Sequence, residues 1–159
     1  MVDQLLATSF RFRITLSPSP GMAGSPLGDG AFQECTGLEM EMDVAEYVEG
    51  GRTNGVLQRA GRLKVSRITL KRGMLHPPDG TVNTELWRWL QDVVDGVRPI
   101  RRYNGTVQVL GEAQRVVATW TFSRGLPAKL VGPQLNARTG EVAIEELQIA
   151  HEGLRMVVG

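Results

Sequence analysis

Residues 38–44 read Leu-Glu-Met-Glu-Met-Asp-Val, and this alternation constrains the chain more than any other segment. Successive side chains of a β-strand point to opposite faces. Leu38, Met40, Met42 and Val44 therefore share one face, and Glu39, Glu41 and Asp43 share the other. A helix would scatter both sets around its circumference. The apolar set predicts a face turned to a core. Burying the three carboxylates bare would be costly, so the opposite face meets water or a charged partner.

The same period recurs. Phe10, Phe12, Ile14 and Leu16 alternate with Arg11, Arg13 and Thr15, and Val116, Ala118, Trp120 and Phe122 alternate with Val117, Thr119 and Thr121. Shorter β signals lie at 106–110 and 128–131, the latter inside the loop-like stretch 125–133. Two longer segments change phase midway. In 63–72 the apolar positions are Leu63 and Val65, then Ile68 and Leu70, which predicts a β-bulge. In 142–151 they are Val142 and Ile144, then Leu147 and Ile149. Residues 154–158 extend the sheet or trail off as a tail.

One helix is predicted, over 84–95. Leu86, Trp89, Leu90 and Val93 form its apolar stripe, Asn83 is placed to cap it, and Gly96 stops it. The expected architecture is mainly β, a barrel or sandwich of six to eight strands with one flanking helix, in a single domain over 1–159. Two irregular segments are expected. One is a flexible Pro/Gly-rich loop at 17–31, and the other is a long loop at 46–62 carrying Glu49, Gly50, Gly51, Arg52, Asn54 and Gly55.

Composition narrows the function classes. Eighteen basic residues against 17 acidic ones leave a net charge of +1, which gives no reason to expect nucleic-acid binding. No apolar run approaches the roughly 20 residues needed to span a bilayer, so membrane binding by the subunit is not expected. The N-terminal Leu5-Leu6-Ala7 meets Arg11 and Arg13 too soon for a signal peptide, so synthesis in the cytoplasm without one is expected. The one cysteine, Cys35, has no internal partner.

Chemistry finds little support. Cys35 with His76 or His151 has no recognisable nucleophile–base spacing and reads as a small hydrophobe. The histidines lack metal-ligand spacing, and Gly50, Gly51, Gly55 and Gly61 form no phosphate loop. Glu39, Glu41 and Asp43 share a face without further converging ligands, so they read as a solvated face. No enzyme, metal or cofactor is expected.

Several segments in order then become informative together: CTGLEMEMDVAEY at 35–47, EGG at 49–51, ITLKRG at 68–73, ELWRWL and VVDG at 85–96, GPQLNA at 132–137 and EVAIEELQIAHEGL at 141–154. This series resembles the tail tube proteins of contractile phages and of phage-like extracellular contractile injection systems, over about residues 10–154. Residues 17–31 are longer than the family pattern, and 57–61 match it loosely.

The resemblance implies a structural subunit that forms hexameric rings stacked into a tube. It also implies a sheath, baseplate and spike proteins as partners and cargo in the channel. A tube-initiator or adaptor ring is the near alternative, and a monomeric β-sandwich binding module the distant one. Either Arg11 and Arg13, or Glu39, Glu41 and Asp43, are expected to face the lumen from adjacent strands. The 46–62 loop is expected to stack ring on ring.

Overall fold

A computed structural model describes residues 4–7, 11–27, 32–48, 50–51 and 55–158. Nine strands and one helix follow one another among them. They are β1 Phe12–Pro18, β2 Glu34–Thr36, β3 Met40–Val48, β4 Val56–Val65, β5 Ile68–Gly73, α1 Glu85–Val94, β6 Tyr103–Leu110, β7 Val116–Val131, β8 Ile144–Ala150 and β9 Gly153–Met156. The chain is mainly β, as its alternation predicts. The short β2 and β9 take the strand number past the expected six to eight.

Seven strands form one antiparallel sheet in the order β1-β6-β7-β8-β5-β2, with β9 also paired to β7. The sheet does not close into a barrel within one chain. Its backbone is β7, a 16-residue strand expected to end near Gly125. The Gly125–Pro127 stretch is instead part of the strand, which passes from pairing with β6 and β9 to pairing with β8. Gly125 is required at this crossing, because a Cβ there would lie 2.7 Å from Ile149 Cγ2 and 2.9 Å from the Tyr103 carbonyl oxygen.

The core lies on one face of this sheet. Ile14, Leu16, Tyr103, Val107, Phe122 and Leu154 come from one half, and Ile68, Leu70, Leu147 and Ile149 from the other. Helix α1 packs on β7 and adds Leu86 and Trp89. The Trp89 ring stands edge-on to Tyr103 at 4.9 Å, and its Nε1–H donates to the Arg101 carbonyl at 2.8 Å. Thr84, not the expected Asn83, takes the N-cap position and makes no side-chain cap bond, while Asn83 Oδ1, one residue earlier, accepts the Glu85 N–H at 2.9 Å. At the other end Val97 N–H reaches Asp92 O and Gly96 N–H reaches Val93 O. This is a Schellman stop around Gly96 at φ 82°.

Four expectations need correction. The expected long loop at 46–62 is mostly strand: β3 runs to Val48 and β4 starts at Val56. The phase change in 63–72 is a break at Ser66-Arg67, where β4 ends and β5 begins, and not a bulge within one strand. On β8 the inward positions are Glu145, Leu147 and Ile149, while Ile144 points outward. The Pro/Gly-rich segment is a loop, but its first part is anchored: Ser19 is buried, Ser19 N–H donates to Arg102 O, and Leu27 N–H donates to Leu16 O. Residues 28–31 lie outside the described ones.

Candidate functional site

The element without a home is the hairpin β3–β4, a two-stranded sheet of its own. Its register pairs Met40 with Val65, Met42 with Leu63, Val44 with Ala60 and Val48 with Val56. These eight positions lie on one face, interrupted by the Glu46–Gln58 pair. The expected apolar face of 38–44 is real, but in the single chain it meets no core. Met40, Val44, Val48 and Leu63 are each about half exposed or more, and only Leu38 and Val65 pack against the core cluster. A two-stranded hairpin is at best marginally stable in water. Each Val, Leu or Met side chain contributes about 1.5–3 kcal/mol when fully buried. The hairpin is thus incomplete without a covering surface.

Its other face carries the acids. Asp43 pairs with Lys64 at 3.0 Å, Glu41 stands opposite Lys64 in register, and Glu39 accepts a hydrogen bond from Ser66 Oγ. Arg59 lies over the Tyr47 ring at 4.8 Å on the same side. A bulge places Gly61 and Arg62 opposite Asp43. A Cβ on Gly61 would lie 2.4 Å from the Asp43 carbonyl oxygen, so this close approach needs glycine.

At the tip, Gly50 and Gly51 are exposed and Gly51 has φ 90°. Gly55 adjoins β4. Glu49, Arg52 and Asn54 lie outside the described residues.

The arginines stand elsewhere. Arg13 is on β1, paired with β6, and donates Nε and Nη2 to Gln108 Oε1 at 3.1 and 2.8 Å. Arg11 is exposed just before β1, and its carbonyl accepts the Leu110 N–H. The expectation that the arginines and the acids occupy adjacent strands is therefore corrected: β1 neighbours β6, and β3 neighbours β4.

Three strand edges are also open among the described residues, the third being the short β2 at the far end of the large sheet. β1 is an edge of the large sheet, covered only where Leu27 bridges Leu16, and β9 pairs on one side only among the described residues.

The sequence reading missed a buried cluster. Arg72 on β5 and Glu145 on β8 are a cross-strand pair inside the core, with Nε and Oε1 at 2.5 Å. Trp87 Nε1–H donates to the other carboxylate oxygen at 2.8 Å. Burial pushes the Cys35 thiol up to about 11, which keeps it protonated and unreactive at neutral pH. His76 Nδ1 bonds the Pro77 carbonyl, and His151 bonds Ser66 O and Gly153 N–H. No group of three or more metal-ligating side chains occurs among the described residues, and no helix among them is long and apolar enough to cross a membrane.

An unclosed sheet with free edges and an amphipathic hairpin that no described residue covers are features that fit a subunit of an assembly. The chain belongs to the family of the T4-like virus tail tube protein gp19, which it matches over residues 8–155. Similar solved structures share the fold. A chain of the anti-feeding prophage cap, which terminates its tube, is 19% identical with a TM-score of 0.80, covering 100% of this chain and 95% of that one. A chain of the extended PVC sheath–tube complex, from an extracellular contractile injection system, is 21% identical with a TM-score of 0.74, covering 97% and 93%. A chain of the anti-feeding prophage baseplate is 21% identical with a TM-score of 0.75, covering 98% and 97%. No curated protein matches the sequence.

Proposed function

We propose that this chain is the inner-tube subunit of a contractile phage-like tail or injection system, closing into hexameric rings that stack around a channel. The observation that carries this reading is the β3–β4 hairpin, whose exposed apolar face is completed by a second copy. Its turn, with Gly50, Gly51 and Gly55, reaches the next ring. The open edges of β1 and β9 meet neighbours within the ring, and a closed head-to-tail ring leaves no edge free.

Within the ring, the polar face of the β1-β6-β7-β9 region forms the channel wall, which puts Arg13 in the lumen. Glu39, Glu41 and Asp43 remain on the charged side of the hairpin. Sheath and baseplate proteins contact the outside and the ends of the tube. The role is structural, with no catalytic step.

The test is Val44→Glu. The position is exposed in the single chain, so under conditions where wild type is also dispersed the unfolding free energy should stay within about 0.5 kcal/mol of wild type. Sedimentation should show that assembly is lost. A variant that assembles as well as wild type contradicts the reading.

Likeness to the cap and to the sheath/tube terminator of such systems, at TM-scores of 0.80 and 0.78, supports a second reading as an end or adaptor ring. A subunit of that kind stops at one ring, whereas a tube subunit elongates.

A further inference from the structure

The outward face of the β1-β6-β7-β9 region has an unusual composition. Thr15, Thr106 and Thr121 stand in register across three strands, and Arg155 on β9 follows Thr121. Arg13, Gln108 and Thr119 form the next row. Ser17 and Asn104 begin a third. Hydroxyls, amides and two guanidinium groups thus dominate the surface, with Val117 half exposed beside Thr119, and none of these strand positions carries a carboxylate or an aromatic ring.

Arg13 is held by a neutral amide and so keeps its full charge outward. Arg155 is exposed and has no ion-pair partner among the described residues. Glu152, beyond the strand end, is held at 2.8 Å by Arg124 and at 3.5 Å by Arg102. The outward side of the other half of the sheet is different: there Lys71 sits in register between Glu34 and Glu146 and bonds Glu34 at 3.6 Å.

From this charge pattern we infer that the β1-β6-β7-β9 face is a docking surface for an acidic polypeptide, carried as cargo against it. The inference rests on the reading of this face as the channel wall. Repetition around a ring turns two arginines per subunit into a belt of one sign, and a concave wall of one sign attracts and retains the opposite charge. The intervening threonines and glutamine offer short, exchangeable hydrogen bonds, and Val117 adds only a small apolar side chain, which suits a cargo that must slide out again. A single-stranded nucleic acid is also an anion. Its binding surfaces, however, supply aromatic platforms for base stacking, and this face has none.

The experiment assembles wild-type chain and the Arg13→Thr/Arg155→Thr variant in the presence of one of three labelled probes. These are poly-glutamate, poly-lysine and an oligo-dT strand. Assemblies are pelleted, the retained label is measured, and the same samples are imaged by negative-stain electron microscopy. Threonine keeps the β-propensity of both exposed positions, so the variant should assemble.

Poly-glutamate should be retained by wild type and fall about tenfold in the variant, with retention also falling as salt shortens the screening length. Tubes that form but hold poly-glutamate equally with and without the arginines, or not at all, overturn the inference while leaving the tube reading intact. Oligo-dT retained in preference to poly-glutamate overturns it in favour of nucleic acid. A wild-type chain that forms no rings overturns the reading beneath it as well.

Discussion

Arg72 and Glu145 face each other across β5 and β8 inside the core, and the Glu145 carboxylate also receives the indole N–H of Trp87 from α1. One buried carboxylate thereby joins two strands to the helix. Removing one partner of such a pair leaves an uncompensated charge in a low-dielectric site.

Glu145→Ala should therefore destabilise the subunit by about 3–5 kcal/mol, read as a shift of the urea midpoint. An apolar double replacement, Arg72→Met with Glu145→Leu, should recover most of that loss. An unchanged midpoint for Glu145→Ala would mean that the pair does not hold the helix to the sheet.

A second prediction concerns Gly105, which pairs with Phe122 across β6 and β7. A Cβ at residue 105 would fall 2.0 Å from Phe122 Cζ, in a fully packed part of the core. Gly105→Ala should lower stability by about 1–3 kcal/mol or more, because the ring has no free volume to enter. Thermal unfolding of the purified variant checks this, and a wild-type midpoint contradicts it.

Gly61 gives a prediction of another kind. Its alanine variant would collide with backbone, the Asp43 carbonyl, which cannot rotate away. The collision lies in the hairpin, outside the seven-stranded sheet and its core. Gly61→Ala should therefore disturb assembly while leaving the cooperative unfolding of the core within about 0.5 kcal/mol of wild type. Light scattering for mass and a thermal melt for stability separate the two effects. Loss of both together would place the hairpin within the folding unit of the core.

Cys35 offers a test by pH. Burial holds its thiol protonated up to about 11, so the thiolate is scarce at pH 8. Alkylation by iodoacetamide should be slow there and should quicken about tenfold per pH unit until the thiol titrates. The raised value also means that the native state binds the proton more tightly than the unfolded state. Stability from this group is therefore present below the unfolded thiol range and is lost as pH rises towards 11. Rapid alkylation at pH 8 would contradict the packing of Cys35 against the core.

What was legible in the sequence depended on burial. Ile14, Leu16 and Phe122 lie on strands with one dry and one wet face, so the period-two pattern appeared directly. The helix was legible through Leu86 and Trp89, which supply its buried stripe. Strand β4 was not, because in the single chain Gln58, Arg59 and Arg62 are as exposed as the apolar residues between them.

Glu145 was hidden for a different reason. Val142 and Ile144 suggested the opposite phase, and a carboxylate on an inward position is unexpected until Arg72 and Trp87 are seen around it. Among the candidate site residues, Arg13 lies on β1 and Glu41 and Asp43 on β3, while Glu39 precedes that strand. Their neighbours follow from long-range strand order, which local alternation does not encode.

The central claim is that this chain completes itself by assembly, and negative-stain electron microscopy of the purified protein tests it most directly. The account predicts sixfold rings stacked into hollow tubes. A strict monomer at high concentration, with the β3–β4 hairpin still folded and exposed, would contradict it.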